Sequence, residues 1–255
     1  RVNAPESGVS RLQTVRQEGS FRMLFPRGAK QRVDAVMLNT AGGITGGDRF
    51  DVRAHVAQGA QLALTTQAAE RIYRATDGHR GRVCNTLSLE ANAHLFWMPQ
   101  ETILFNNSAL HRKLHVDLVP SARFLMVEPM IFGRTASGET LENAELRDSV
   151  EIWRDGTLIY RDTVAFTGNI TAQLNRKAIG NGARGMANVV LHAPDAATKI
   201  DGLRAVLPDT AGASLLADDL LVMRALAADG YALRQCLLPA LTYLTDTAMP
   251  KNWRL

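Results

Sequence analysis

The stretch Phe50-Asp51-Val52-Arg53-Ala54-His55-Val56-Ala57 sets Phe50, Val52, Ala54 and Val56 on one side and Asp51, Arg53 and His55 on the other. A period of two is the mark of a strand with one buried face. Segments of the same kind lie on both sides of it. They are Val33–Asn39, Gln61–Thr66, Val83–Glu90, Ala93–Met98, Lys113–Val119, Arg123–Met130, Val150–Arg154 and Thr157–Thr163. Glycine-bearing turns at Gln58-Gly59-Ala60 and Asp155-Gly156 predict hairpins. Strand follows strand with no helical pattern between, which argues against a doubly wound α/β fold and for a mainly β one.

The pattern changes near the C-terminal end. Ser214 stands as an N-cap before Leu215, Leu216, Leu220, Met223 and Ala227, a helical spacing that Gly230 would end. A second helix is predicted from Tyr231 to about Asp246, with Leu233, Leu237, Leu241 and Leu244 on one stripe. Pro239 predicts a kink or restart inside it. Such stripes are either core faces or docking faces. Asn175–Gly185, with Gly180, Gly182, Gly185, Arg176, Lys177 and Arg184, reads as a flexible basic loop. No repeat or low-complexity linker divides the chain, so residues 1–255 are read as a single domain.

Composition narrows the function classes. Hydrophobic residues make up 46% and charged residues 21% of 255, an ordinary globular balance that excludes wholesale disorder. No apolar run reaches the roughly 18–20 residues of a membrane span, so no membrane role is expected. Two cysteines, Cys84 and Cys236, cannot form a disulfide scaffold, and a reduced, cytoplasmic compartment fits them best. The net charge of +4 sits in residues 1–34, where Arg1, Arg11, Arg16, Arg22, Arg27, Lys30 and Arg32 face only Glu6, Glu18 and Asp34. Without interleaved aromatics or a binding motif this excess does not point to nucleic acid.

The segment Gly42-Gly43-Ile44-Thr45-Gly46-Gly47-Asp48 follows a strand, as a phosphate loop does. It lacks the Gly-Lys-Ser/Thr ending and leads into a strand rather than a helix, so it offers no helix N-terminus to an anion. Paired glycines instead allow close backbone approach or a tight turn, which Asp48 would cap. Of the histidines, only His111 and His115 lie close. On a strand they fall roughly 13 Å apart, at ~3.3 Å per residue, too far to share one ion. No zinc motif and no Gly-x-Ser-x-Gly elbow is present. What remains is polar groups inside apolar strand contexts: Glu70 to Arg74, Gln100-Glu101, and Glu128. Buried carboxylates need partners, for which Arg71, Arg74 and Arg134 are candidates. These groups are either internal ion pairs or the lining of a polar channel.

Four segments occur in order: Leu38-Asn39-Thr40-Ala41-Gly42-Gly43-Ile44-Thr45-Gly46-Gly47-Asp48, Thr65-Thr66-Gln67-Ala68-Ala69-Glu70-Arg71-Ile72-Tyr73-Arg74, Trp97-Met98-Pro99-Gln100-Glu101-Thr102-Ile103-Leu104-Phe105 and Gly133-Arg134-Thr135-Ala136-Ser137-Gly138-Glu139. With the ending Pro250-Lys251-Asn252-Trp253-Arg254-Leu255, they resemble the urease accessory protein D family. The resemblance implies packed mixed β-sheets, sandwich-like or layered, with two α-helices near the C-terminus. It implies a scaffold and not an enzyme. Its partners would be the urease apoprotein and accessory protein F, which in turn recruits a GTPase, accessory protein G. No cofactor would be tightly bound; nickel would pass in transit, through an internal polar tunnel. Weak oxygen ligands suit such passage better than a closed tetrahedral site. On that reading Asp48, Glu70, Glu101, Glu128 and Glu139 line or gate the path. Gly42, Gly43, Gly46, Gly47, Tyr73, Arg74, Gln100 and Arg134 support the fold. Leu216, Leu220, Met223, Leu237 and Leu241 would meet protein F. The competing reading is a metal-dependent hydrolase using Asp48, Glu101 and a histidine.

Overall fold

The structure is a computed structural model that describes residues 1–4, 8–27, 31–76, 78–245 and 249–253. Asp246, at the predicted end of the last helix, and Arg254 and Leu255 of the terminal motif lie outside the described residues. So do Glu6 and Lys30 of the N-terminal charge cluster.

The chain opens with three short strands, β1 (Val2–Asn3), β2 (Arg11–Leu12) and β3 (Phe21–Leu24). From β4 (Val33–Asn39) onward it shuttles between two facing sheets. β5 (Arg49–Val56) lies in the outer sheet and β6 (Gln61–Thr66) in the central sheet, flanked by the short β7 (Glu70–Ile72). β8 (Gly81–Leu89) returns to the outer sheet, β9 (His94–Met98) to the central one, and β10 (Thr102–Leu104) pairs with β7. β11 (Ala109–Leu118), β12 (Arg123–Phe132) and β13 (Ala144–Arg154) repeat the alternation, and β14 (Thr157–Gly168) ends the outer sheet. The rest of the chain is α1 (Ile170–Leu174), β15 (Gly185–His192), α2 (Ala196–Ala205), β16 (Ala211–Ala217), β17 (Leu220–Ala227) and α3 (Gly230–Thr245).

Neighbours β5, β8, β11 and β13 pair in parallel, and so do β4, β6, β9 and β12. Parallel neighbours need a long crossover, usually a helix. Here each crossover is a strand of the facing sheet, which is why the sequence shows strand after strand. The turn Gln58-Gly59-Ala60 therefore makes no hairpin; it carries the chain from β5 in one sheet to β6 in the other. Asp155-Gly156 does make one, joining antiparallel β13 and β14 with positive φ at both residues.

The helix predicted over Ser214–Ala227 is instead the antiparallel hairpin β16–β17. Leu221, Met223, Ala225 and Ala227 face the helices, while Leu220, Val222 and Leu226 face the outer sheet. Both phases of β17 are apolar except at Arg224, so its run from Leu220 to Ala227 fits helical spacing equally well. Gly230 begins the last helix rather than ending one, with Asp229 Oδ1 accepting the Ala232 N–H at 2.8 Å. Pro239 lies inside α3 on its exposed side without ending it.

The molecule is thus layered: outer sheet, central sheet, then α2 and α3 on the far face. Leu220, Met223, Leu237 and Leu241 are buried in its core, so they are no free partner surface; only Leu216 of that set is exposed, at 56%. Their burial answers the core-or-docking question for α3: its leucine stripe is core. The strand β15 and helix α2 had no counterpart in the sequence reading. Asn175–Gly185 is a run of turns, tied at its end by Arg184 donating to Asn175 Oδ1 at 2.7 Å. Among the described residues no helix is long and apolar enough to cross a membrane. Cys84 is exposed and Cys236 buried, and both are free thiols.

Candidate functional site

The glycine loop is stitched to the strand that follows β6. Ile44 N–H donates to Arg71 O at 2.8 Å, and Tyr73 N–H donates to Ile44 O at 2.7 Å. A Cβ on Gly43 would lie 2.3 Å from the Tyr73 ring, and one on Gly46 2.7 Å from His79 O, so close approach explains these two glycines. Asp48 Oδ2 accepts the Thr45 N–H at 2.9 Å and caps the turn. Asn39 Nδ2 joins the loop to the next segment, donating to Gly43 O at 2.9 Å and Glu70 Oε1 at 3.0 Å. Burial raises the Glu70 carboxyl above its ordinary value, against the Asn39 hydrogen bond, and nearby Asp48 adds to the rise.

The third and fifth motifs meet at a clasp. Arg234 on α3 donates to Gln100 Oε1 at 2.9 Å, to Glu101 Oε1 at 3.3 Å and to Asn252 O at 3.0 Å. Its guanidinium lies over Trp253, 5.2 Å from the ring centre. Trp253 Nε1 donates to Met98 O at 2.8 Å, and Asn252 Nδ2 to Thr66 O at 3.1 Å. Glu101 is therefore spoken for by the C-terminal helix. Glu139 is likewise held by Arg134, whose Nε and Nη2 donate to its two oxygens at 3.0 and 3.2 Å. Arg134 stacks over Phe105, against which Tyr73 packs edge-on. The Arg74 side chain is exposed.

The unusual feature lies between the sheets. Two apolar clusters fill that space, and on adjacent strands one polar side chain separates them. In the outer sheet these are Asn85, Arg112, Asp148 and Asp162, each where the alternation of its strand points inward. In the central sheet they are Glu128, Asn188 and Arg224, which are direct ladder neighbours. Together they form a polar belt between the sheets, from β14 to β8 in the outer sheet and from β17 to β12 in the central one. Arg112 stands at its centre, directly opposite Asp148 in the ladder. Its Nε and Nη2 donate to Asp148 Oδ1 and Oδ2 at 2.8 and 2.7 Å. Nη2 is also 3.2 Å from Glu128 Oε2, and Nη1 donates to Thr102 Oγ1 at 3.1 Å. Trp97 Nε1 donates to the other Glu128 oxygen at 3.0 Å.

Burial pushes the Glu128 carboxyl up to about 7, although Arg112 draws it down. Burial alone would lower the Arg112 guanidinium, but Asp148 and Glu128 raise it. Toward one edge, Asn188 Nδ2 donates to Tyr160 Oη and Asp162 Oδ2, both at 3.1 Å, and Asp162 pairs with the half-exposed Arg224. Toward the other lies a cavity of about 50 Å³ whose lining is mostly apolar, with Ile44, Val52, Ile72 and Trp97 among it, and carries the polar groups of Arg112, Asn85, Thr102, Thr66, Gln100 and Glu70. Among the described residues no group of three or more His, Cys, Asp or Glu side chains is arranged to hold a metal ion.

Of the five predicted path carboxylates, Glu128 lies in the belt and Glu70 in the lining of the cavity beside it, with Asp48 close enough to Glu70 to act on its charge. Glu101 and Glu139 lie elsewhere, in ion pairs. The sequence reading missed Arg112, Asp148, Asn85, Asn188, Asp162, Arg224 and Arg234. The signal for Arg112 and Asp148 was present: each occupies an apolar phase of an alternating strand, between Leu110 and Leu114 and between Leu146 and Val150. The hydrolase reading gains no support from this geometry, because Asp48 caps a turn and Glu101 holds Arg234.

A family model described as UreD urease accessory protein matches residues 1–254. The chain belongs to the UreD urease accessory protein family. The urease accessory protein UreD of Roseobacter denitrificans is 47% identical over 255 residues, covering 100% of this chain and 92% of that protein. That of Ruegeria pomeroyi is 48% identical over 246 residues, covering 96% of each. That of Methylobacterium is 40% identical over 255 residues, covering 97% of this chain and 90% of that protein. Within this UreD chain the motifs that carried the resemblance are neighbours in space: the glycine loop against Arg71–Tyr73, and the terminal Asn252-Trp253 against Thr66 and Met98.

Proposed function

We propose that this chain serves urease maturation as a non-catalytic scaffold, and that its polar belt is the path of nickel in transit. The observation that carries this is the belt itself. Charged and amide groups occupy neighbouring strands of an otherwise apolar interior, and burial makes Asn85, Arg112, Glu128, Asp148 and Asn188 costly there. The cavity beside Glu70 is one mouth and the Asp162–Arg224 edge the other. The oxygen and amide groups along it hold a divalent ion weakly, which suits passage.

The partners on this reading are the urease apoprotein and accessory protein F, with the GTPase accessory protein G joining through protein F, in a reducing cytoplasm. For protein F the exposed apolar side chains beside the helices, Leu216 on β16 and Tyr231 on α3, replace the buried stripe as the candidate surface. Asp48, Glu101 and Glu139 act through architecture; Glu128 and Glu70 act on the ion.

The test is urease activation in cells carrying urease and its accessory proteins, with this chain supplied as wild type, Glu128→Gln, or Asn188→Leu. Expected are folded variants whose purified urease has at least a severalfold lower nickel content and activity. Full activation by both folded variants overturns the path and leaves a scaffold that acts by interaction alone.

A further inference from the structure

Arg112 fills a cage made entirely of oxygen atoms. Its three nitrogens reach Oδ1 and Oδ2 of Asp148, Oε2 of Glu128 and Oγ1 of Thr102. The side chains of Arg112, Glu128 and Asp148 are 8%, 2% and 6% exposed, so solvent does not share the load. Two carboxylates around one guanidinium leave a cage that is short of positive charge when both are ionised. Carboxylate and hydroxyl oxygens are the ligands that divalent cations take in labile sites. The guanidinium holds the position such an ion would occupy.

Arg112 also has somewhere to go. It borders the cavity of about 50 Å³, whose mostly apolar lining also includes Glu70. Gln100 lines the same cavity; it is 6% exposed, and among the described residues its Nε2 has no hydrogen-bond partner. A buried amide donor left open can take an oxygen-bearing guest such as water. Withdrawn into that space, the guanidinium meets the Glu70 carboxylate, whose ionised form it would stabilise.

We propose that Arg112 is a resident counter-ion that yields to a divalent cation, so that Glu128, Asp148 and Thr102 form a latent oxygen-donor cation site at the centre of the belt. The inference rests on the belt as a cation path and deepens it: passage is gated by exchange between a fixed and a mobile positive charge. No bond is made or broken; the ion replaces an ion pair.

The experiment is nickel(II) binding by the purified chain, read by equilibrium dialysis and by thermal unfolding. Three proteins are compared: wild type, Arg112→Met, and the triple variant Arg112→Met/Glu128→Gln/Asp148→Asn. Met keeps an unbranched, flexible stem and removes the guanidinium and its charge. Arg112→Met is expected to bind one more nickel ion per chain than wild type and to gain more in unfolding temperature from nickel(II). The triple variant is expected to lose both gains. Surface binding is common to all three and cancels. If Arg112→Met binds no more than wild type, or if the triple variant binds as much as Arg112→Met, the proposal is overturned. Should Arg112→Met fail to fold, it is refolded with nickel(II); recovery supports the site, and failure to recover while the triple variant folds overturns it. Normal urease activation by Glu128→Gln beside extra nickel on Arg112→Met would sink the path and spare the site.

Discussion

The two faces of the central sheet are built from the same strands and differ in kind. Toward the helices β12, β15 and β17 present Val127, Val189, Met223 and Ala225, all buried and apolar. Toward the outer sheet they present Glu128, Asn188 and Arg224. Val127 and Glu128 are chain neighbours, as are Asn188 and Val189, and Arg224 and Ala225. Backbone, strand propensity and distance to the edge are thus the same on both faces. Only the direction of the side chain differs. The helix-facing side follows the hydrophobic rule throughout. The other side breaks it at one level, in a row that continues across the outer sheet through Arg112 and Asp148. A buried ion triad usually stabilises less than apolar side chains of the same volume. Stability therefore accounts for the first face and not for the second.

The comparison can be broken most sharply on the belt. Arg112→Met strands two carboxylates and is expected to cost about 3–5 kcal/mol in denaturant unfolding without metal. Neutralising all three groups should recover most of that loss. A triple variant as weak as the single one would mean that the belt is needed for stability after all. On the helix side, Leu241→Ala removes a fully buried side chain from α3 and is expected to cost about 3 kcal/mol by the same measurement. A negligible cost would show that α3 does not seal this face.

A finer test uses pH. The Glu128 carboxyl sits at about 7 in the folded chain against an ordinary 4.5. Between those values the folded state keeps a proton that the unfolded state releases, so this group's share of stability falls as pH rises through the window. Glu128→Gln cannot ionise. The stability of wild type relative to Glu128→Gln should therefore be flat below about pH 4.5 and decline up to about pH 7. Glu139, Glu145 and Glu151 are shifted the opposite way, chiefly by hydrogen bonds to Arg134, Arg80 and Lys113. Their contribution is lost only as pH falls below that window, and it cancels in the difference. A flat difference throughout would mean that Glu128 is not held up by burial. The smallest effect belongs to Leu216→Asp, on the exposed edge of β16. It should change unfolding free energy by no more than ~0.5 kcal/mol, while weakening any complex that uses that edge in a pull-down with protein F.

The sequence by itself determined the long strands between Val33 and Thr163, their buried phase and the four ordered motifs that carry the family resemblance. Alternation is a local property, written within each segment, and Phe50–Ala57 shows it without any partner. The paired glycines announced a close approach or a tight turn; that Gly43 meets the Tyr73 ring and Gly46 the His79 carbonyl came only with the structure. The helix assigned to Ser214–Ala227 failed because both phases of β17 are apolar except at Arg224, which hides the strand period. Only the tertiary structure decided which sheet each strand enters. Consecutive strands β5 and β6 are not paired, whereas Arg112 faces Asp148 from 36 residues away. The belt exists only after that assignment, because each strand contributes one polar residue and none of them is a motif alone. Its members are joined by register across the ladder, and register is set by long-range pairing that no single segment encodes.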